Sequence, residues 1–94
     1  MPDWYVYILR CRNGSLYTGI ATDVERRVTD HLAGKGAKYL RGRGPLKLVF
    51  KKQVGEKGLA LKVERKVKRL PRHKKVALIK TGAGIETLLS SNGR

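Results

Sequence analysis

The chain has a single cysteine, few aromatic residues, few acidic residues and no long apolar run. One cysteine, Cys11, can form no internal disulfide and no cluster of thiolate metal ligands, so we interpret it as a small strand residue. A membrane-spanning helix needs roughly 20 consecutive apolar residues, and the N-terminus lacks the charged-then-apolar pattern of a targeting segment. We therefore expect a cytoplasmic protein that does not bind membranes.

The scarcity of acidic residues leaves a large excess of positive charge. There are 22 Lys and Arg against 7 Asp and Glu, which gives a formal net charge of +15. A small domain with this imbalance repels itself, and a polyanionic partner explains the excess. Nucleic acid is the leading class of partner, and within it ribosomal RNA competes with DNA. An anionic membrane surface is disfavoured because no stretch combines basic residues with a wide apolar face.

Length and element order predict one α+β domain over residues 1–94, with about 1–3 and 90–94 frayed. The order is strand, strand, helix, then strand, helix and a third helix. We expect a small three-stranded antiparallel sheet flanked by helices. The third strand covers 46–54, the second helix 57–70 and the third helix 72–80, with one further turn at 85–89.

The first two strands, at 4–11 and 16–21, form a hairpin whose loop length decides where two tyrosines point. A two-residue turn at Asn13-Gly14 places Tyr7 and Tyr17 on opposite faces. A three-residue loop with Gly14 left-handed pairs Tyr7 with Gly19 and places both tyrosines on one face. We predict the three-residue loop.

The first helix is predicted to start at a capping box, with Thr22 as the cap and Glu25 at the third helical position, and to end near Ala33. Its apolar residues recur every four positions, at Val24, Val28 and Leu32. Arg27 and His31 follow one edge of that stripe. We expect both polar ends to reach a cleft beside the core.

The second helix carries one inward acidic residue. Its predicted core face is Ala60, Val63, Val67 and Leu70, and Glu64 lies at the rim of that face. The other acidic residues are at segment ends or on the outer side of the first helix, so no cluster can hold two metal ions. A site with one carboxylate and several waters suits Mg²⁺. Phosphodiester hydrolysis usually uses such an ion with a stabilising cation and an activated water.

Each candidate also has a purely structural explanation. Tyr7 and Tyr17 are ordinary strand residues, Arg27 is a surface cation, His31 caps a helix end, and Glu64 pairs with Arg65 or Lys68. Their combination at this spacing is what favours a catalytic site.

The spacing resembles a known family. Tyr7, then Tyr17-Thr18-Gly19, then Arg27 and His31, then a helical Glu64 are similar to the GIY-YIG nuclease superfamily, above all its small single-domain bacterial YhbQ-like branch. The likeness covers nearly the whole chain and includes the segments Asn-Gly-Ser-Leu-Tyr-Thr-Gly-Ile, Gly-Lys-Gly-Ala-Lys-Tyr and Leu-Val-Phe. It departs from the motifs at Tyr5, Val6 and Thr18, which stand in place of Gly, Ile and Ile. Val76 stands where some members carry Asn.

The resemblance implies a one-metal endonuclease. Glu64 would hold the ion and Arg27 would bind the scissile phosphate. His31 would orient the site or assist proton transfer, and Tyr7 and Tyr17 would position or deprotonate the attacking water, with the base left open between them. It implies DNA in preference to RNA, low sequence specificity and a role in DNA repair or processing, without a small-molecule cofactor. The rival hypothesis is a non-catalytic nucleic-acid-binding module on the same fold.

Backbone phosphates are the expected targets of the remaining basic residues. Tyr39 either stacks on a base or packs under the glycine-rich loop at 34–45, and Trp4 is expected in the core. The predicted nucleic-acid-binding residues are Lys35, Lys38, Tyr39, Arg41, Arg43, Lys62, Arg65, Lys66 and Arg69. The sequence leaves the oligomeric state open.

Overall fold

A computed structural model describes residues 3–89, so the predicted frayed ends, apart from residue 3, lie outside the described residues. The elements are strands β1 (Trp4–Arg10), β2 (Leu16–Ala21) and β3 (Lys47–Gly55), and helices α1 (Val24–Leu32), α2 (Lys57–Arg69), α3 (Arg72–Thr81) and α4 (Ile85–Leu89). A short 3₁₀ helix, Lys38–Leu40, interrupts the glycine-rich loop. The sheet is antiparallel with β1 in the centre, in the order β2-β1-β3, which confirms the predicted fold class.

The hairpin between β1 and β2 has the predicted three-residue loop. The Cys11 N–H donates to the Ser15 carbonyl at 2.9 Å, and Gly14 has a φ of 87°. A left-handed residue at this position is strained unless it is glycine. The resulting register pairs Tyr7 with Gly19 and Leu9 with Tyr17, so both tyrosines lie on one face of the sheet.

The central strand is buried on both faces. Val6 and Ile8 pack against the second and later helices, in a cluster with Ala60, Val63, Val67, Leu78 and Leu88. Tyr7 and Leu9 point to the other face, in a cluster with Cys11, Ala21, Val24 and Leu40. The α2 core residues are as predicted, and Leu70 is partly buried at the helix end, where the following Pro71 stops the helix. Among residues 3–89, no helix has the length and apolarity needed to cross a membrane.

Two predictions about α1 were wrong. The cap is Asp23, whose carboxylate accepts the Arg26 N–H at 3.1 Å, and Thr22 is exposed. Glu25 therefore sits one position earlier in the helix and pairs with Lys51 at 3.1 Å. Both Thr and Asp cap well, so sequence alone did not distinguish them.

The buried side of α1 is also rotated from the predicted stripe. Leu32 is 59% exposed, whereas His31 is only 3% exposed. The imidazole tolerates burial because both ring nitrogens have hydrogen-bond partners. His31 therefore occupies the interior in place of Leu32.

Candidate active site

The Tyr7 side chain crosses the backbone of its partner strand. A Cβ added to Gly19 would lie 2.6 Å from the Tyr7 phenol oxygen and 2.7 Å from its ring carbon Cζ. Such distances are too short for any real contact, so a side chain here would push the phenol away. The glycine of Tyr17-Thr18-Gly19 thus gives Tyr7 the room to reach towards the β2 edge.

His31 holds the phenol of Tyr7 from the helix side. The Ala37 N–H donates to His31 Nδ1 at 3.0 Å, and His31 Nε2 lies 2.8 Å from the Tyr7 phenol oxygen. Because Nδ1 accepts a hydrogen bond, the imidazole proton lies on Nε2 and is donated to Tyr7. The phenol hydrogen of Tyr7 is then free to point towards a water or a phosphate oxygen.

The imidazole is kept neutral by its surroundings. Burial lowers the pKa of His31 below its usual 6.5, the nearby positive charge of Arg27 lowers it further, and Asp30 opposes the shift. Gly36 packs directly against the ring, since a Cβ there would lie 1.9 Å from Nδ1. The contacts of Gly36 and Ala37 with His31 were not predicted from the sequence, where these two residues appeared only within the segment Gly-Lys-Gly-Ala-Lys-Tyr.

Tyr17 completes a cluster of three rings. Its ring centroid lies 6.4 Å from that of Tyr7 and 5.5 Å from that of His31, the latter in an edge-on arrangement. Tyr17 is partly exposed, whereas Tyr7 is buried. The cluster therefore has a buried member held by His31 and a member that faces solvent.

Arg27 and Glu64 act on this cluster electrostatically. Burial is the main reason that the pKa of Tyr7 rises from 10.0 to about 12, and Tyr17 adds to the rise. A hydrogen bond and the positive charge from Arg27 lower it, and the negative charge of Glu64 raises it. Arg27 and Glu64 come from helices on opposite faces of the sheet, yet both influence the same phenol. Arg27 also lines an open groove of about 490 Å³ with Trp4 and Lys57.

Glu64 is the candidate metal ligand. Its side chain is 19% exposed, and Lys68, one turn along α2, places Nζ 3.4 Å from its carboxylate. Within residues 3–89, no group of three or more His, Cys, Asp or Glu side chains is arranged to hold a metal ion. A single partly exposed carboxylate fits the donor set of Mg²⁺, which keeps several waters and needs only one or two carboxylates from the protein.

Most of the predicted nucleic-acid-binding residues are exposed, and two are not where they were expected. Exposed are Lys35, Lys38, Tyr39, Arg41, Lys62, Arg65 and Arg69. Lys66, which was predicted to contact phosphates, is partly buried with Nζ 3.4 Å from the Leu88 carbonyl. Arg43 is partly buried, and its guanidinium carbon lies 4.2 Å from the centre of the Tyr39 ring. Trp4 is half-buried against the α2 side of the core.

Sequence comparison places these features in a family. The GIY-YIG catalytic domain matches residues 3–77, and the chain therefore belongs to the GIY-YIG family, whose members are typically endonucleases. Within it, this is a small YhbQ-like protein. The UPF0213 protein YhbQ of Escherichia coli is 52% identical over 91 residues, which is 97% of this chain and 91% of the relative. A UPF0213 protein of Citrobacter koseri shows the same identity and coverage.

Two solved structures agree with the fold. The solution NMR structure of the UPF0213 protein BH0048 from Bacillus halodurans has a TM-score of 0.56 and 49% identity, covering 89% of this chain and 90% of that one. The solution NMR structure of the protein EF2693 from E. faecalis has a TM-score of 0.61 and 36% identity, with 86% of each chain covered. The nuclease-type fold predicted from the tyrosine spacing is thus confirmed.

Proposed function

We propose that the protein is a metal-dependent endonuclease that nicks or hydrolyses DNA phosphodiesters with low sequence specificity. The observation that carries the proposal is the ring cluster of Tyr7, Tyr17 and His31, acted on from two sides by Arg27 and Glu64. A role in DNA repair or processing is consistent with low specificity and a charge of +15.

Each side chain has a role that follows from its surroundings. Arg27 binds the scissile phosphate and stabilises the charge that develops on it. His31 donates Nε2–H to Tyr7 and fixes the phenol, whose own hydrogen orients the attacking water or a phosphate oxygen. Tyr17 shares the solvent-facing side of the cluster, and either tyrosine is a candidate for the base. A divalent cation held by Glu64 would supply positive charge that stabilises the phosphate and lowers the pKa of a nearby phenol.

The test is plasmid nicking by the purified protein with Mg²⁺, comparing wild type with Glu64→Gln and Tyr17→Phe. Matched controls are Glu86→Gln, which removes an exposed carboxylate from α4, and Tyr5→Phe, which removes a hydroxyl from the same strand as Tyr7. We expect nicking to be lost in the first pair and kept in the controls, with DNA binding retained in all. Nicking that persists in both Glu64→Gln and Tyr17→Phe contradicts the assignment.

A second function has specific support. Glu64 is already paired with Lys68, and burial raises the pKa of Tyr7 to about 12, which makes this phenol a poorer base than an ordinary tyrosine, as expected of a module that binds nucleic acid without cutting it. Val76 occupies the position where some family members have Asn. This candidate predicts salt-sensitive binding to DNA or ribosomal RNA without cleavage at any Mg²⁺ concentration. Preference for RNA together with an absence of nicking would favour it.

A further inference from the structure

An array of planar groups extends from the ring cluster to the surface of the 34–45 loop. The Tyr39 ring lies nearly parallel to Tyr17, with centroids 6.1 Å apart and an interplanar angle of 20°. The Arg43 guanidinium covers the Tyr39 ring at 4.2 Å. We call Tyr17, Tyr39 and Arg43 the stacking array. One end of it is Tyr17 of the ring cluster, and the other end is the partly buried Arg43 on the loop.

The outer part of the stacking array is held in place by hydrogen bonds. Arg43 Nε donates to the Tyr39 carbonyl at 2.6 Å, and the Arg43 carbonyl accepts the Arg12 N–H at 3.1 Å. The Tyr39 hydroxyl lies 3.5 Å from Ser15 Oγ. A planar group fixed in this way loses little conformational entropy when a ligand stacks on it.

Core packing does not explain the position of Tyr39, because its side chain is one of the few large hydrophobic groups left exposed, at 47%. The surrounding loop is strongly cationic: its basic residues are Lys35, Lys38, Arg41 and Arg43, and residues 34–45 include no Asp or Glu. Exposed planar groups within a cationic loop are the combination by which proteins bind single strands, with bases on the rings and phosphates along the cations.

We infer that the stacking array receives an unpaired base next to the scissile phosphate. A paired base inside a duplex has both faces covered by its neighbours, so only an unpaired or extruded base can add to the array. Tyr17 belongs to both the array and the ring cluster, so the array joins the surface where the base would stack to the cluster on which Arg27 acts. The inference rests on the proposed function and names its substrate class: DNA with an unpaired nucleotide at the cleavage position.

Binding without metal tests the inference independently of cleavage. We would measure fluorescence anisotropy, with chelator present, on three DNA hairpins of the same stem: fully paired, with one bulged adenine, and with one bulged abasic residue. The abasic hairpin keeps the charge and flexibility of the bulge and lacks only the base. Since stacking of one base is worth about 1–3 kcal/mol, we expect the adenine bulge to bind at least about fivefold more tightly than the abasic bulge.

Variants of the array identify where the base binds. Arg43→Lys keeps the charge and loses the plane, and Tyr39→Leu removes the ring beneath it; both should bring the two bulged hairpins to equal affinity. Tyr39→Phe should keep the preference, and thermal unfolding shows whether each variant is folded. Equal binding of the adenine and abasic bulges by wild type, or an unchanged preference in both Arg43→Lys and Tyr39→Leu, overturns the inference.

The endonuclease proposal and the base-stacking inference can be rejected independently of each other. A base preference that disappears in Arg43→Lys, without any plasmid nicking, leaves the array as a binding site and rejects the endonuclease. Nicking that needs Glu64, without a base preference, keeps the endonuclease and leaves Tyr39 only a support for Tyr17.

Discussion

The imidazole Nε2 of His31 lies 2.8 Å from the phenol oxygen of Tyr7, and both side chains are buried. This bond connects helix α1 to the central strand of the sheet and fixes the direction of the phenol hydrogen. It depends on the glycine-rich loop, because the Ala37 N–H determines which imidazole nitrogen carries the proton. Loop, helix and strand therefore define the site together.

Gly36→Ala tests this dependence. A Cβ at Gly36 would lie 1.9 Å from His31 Nδ1, so either the imidazole or the loop must move. Displacement of a positioned group by about 1 Å costs on the order of a hundredfold in rate, and we expect a comparable loss of nicking. Gly58→Ala is the control, because the space around Gly58 in α2 is open, and it should raise stability by up to about 1 kcal/mol. Unchanged nicking and stability in Gly36→Ala would contradict the packing described.

The pKa of His31 is lowered by burial, and this has a consequence for stability. The unfolded chain takes up the proton near the usual 6.5, whereas the folded protein resists it. The contribution of neutral His31 is therefore present above pH 6.5 and is lost as the pH falls towards the lower folded pKa. We expect denaturant unfolding at several pH values to show this loss, and His31→Gln to reduce it. NMR titration of the imidazole at or above pH 6.5 would contradict the prediction.

Tyr7 should ionise well above the ordinary pKa of a tyrosine in the metal-free protein, because burial raises its pKa from 10.0 to about 12. NMR of isotope-labelled tyrosine, with Tyr7→Phe to assign the signal, should show its phenol still protonated at pH 10. Since the Glu64 charge contributes to the rise, Glu64→Gln should lower the pKa of Tyr7. A Tyr7 signal that titrates at or below pH 10 would contradict the burial of this phenol.

Lys68 competes with any cation for Glu64. Its Nζ lies 3.4 Å from the carboxylate, and removing it in Lys68→Met leaves the carboxylate unpaired. We expect the Mg²⁺ concentration for half-maximal nicking to fall by roughly a few-fold, a modest change because the pair is partly exposed. Lys62→Met, on the same helix, removes an equal charge without touching Glu64. An equal response in the two variants would reflect general charge and not the ion pair.

Local chemistry explains which features were predictable. The hairpin register followed from the left-handed preference of Gly14, and the direction of Glu64 followed from the helical spacing of Ala60, Val63 and Val67. Tertiary contacts determine two features that were not predicted, the burial of His31 and the burial of Lys66. His31 replaced Leu32 in the interior because Tyr7 and Ala37 satisfy its nitrogens, and Lys66 is partly buried because α4 packs beside α2. Tyr7 and α4 are distant in sequence from His31 and Lys66, and Ala37 contacts His31 only because the 34–45 loop folds back on α1, so no helical pattern indicates these contacts.

Whether Tyr17 and Glu64 act in one active site is tested by the single-turnover rate of nicking in Tyr17→Phe, Glu64→Gln and the double variant. Groups that act as a unit give non-additive losses, so we predict that the double variant is no slower than the slower single variant. If the two losses multiply in the double variant, Tyr17 and Glu64 have independent roles and do not form one active site.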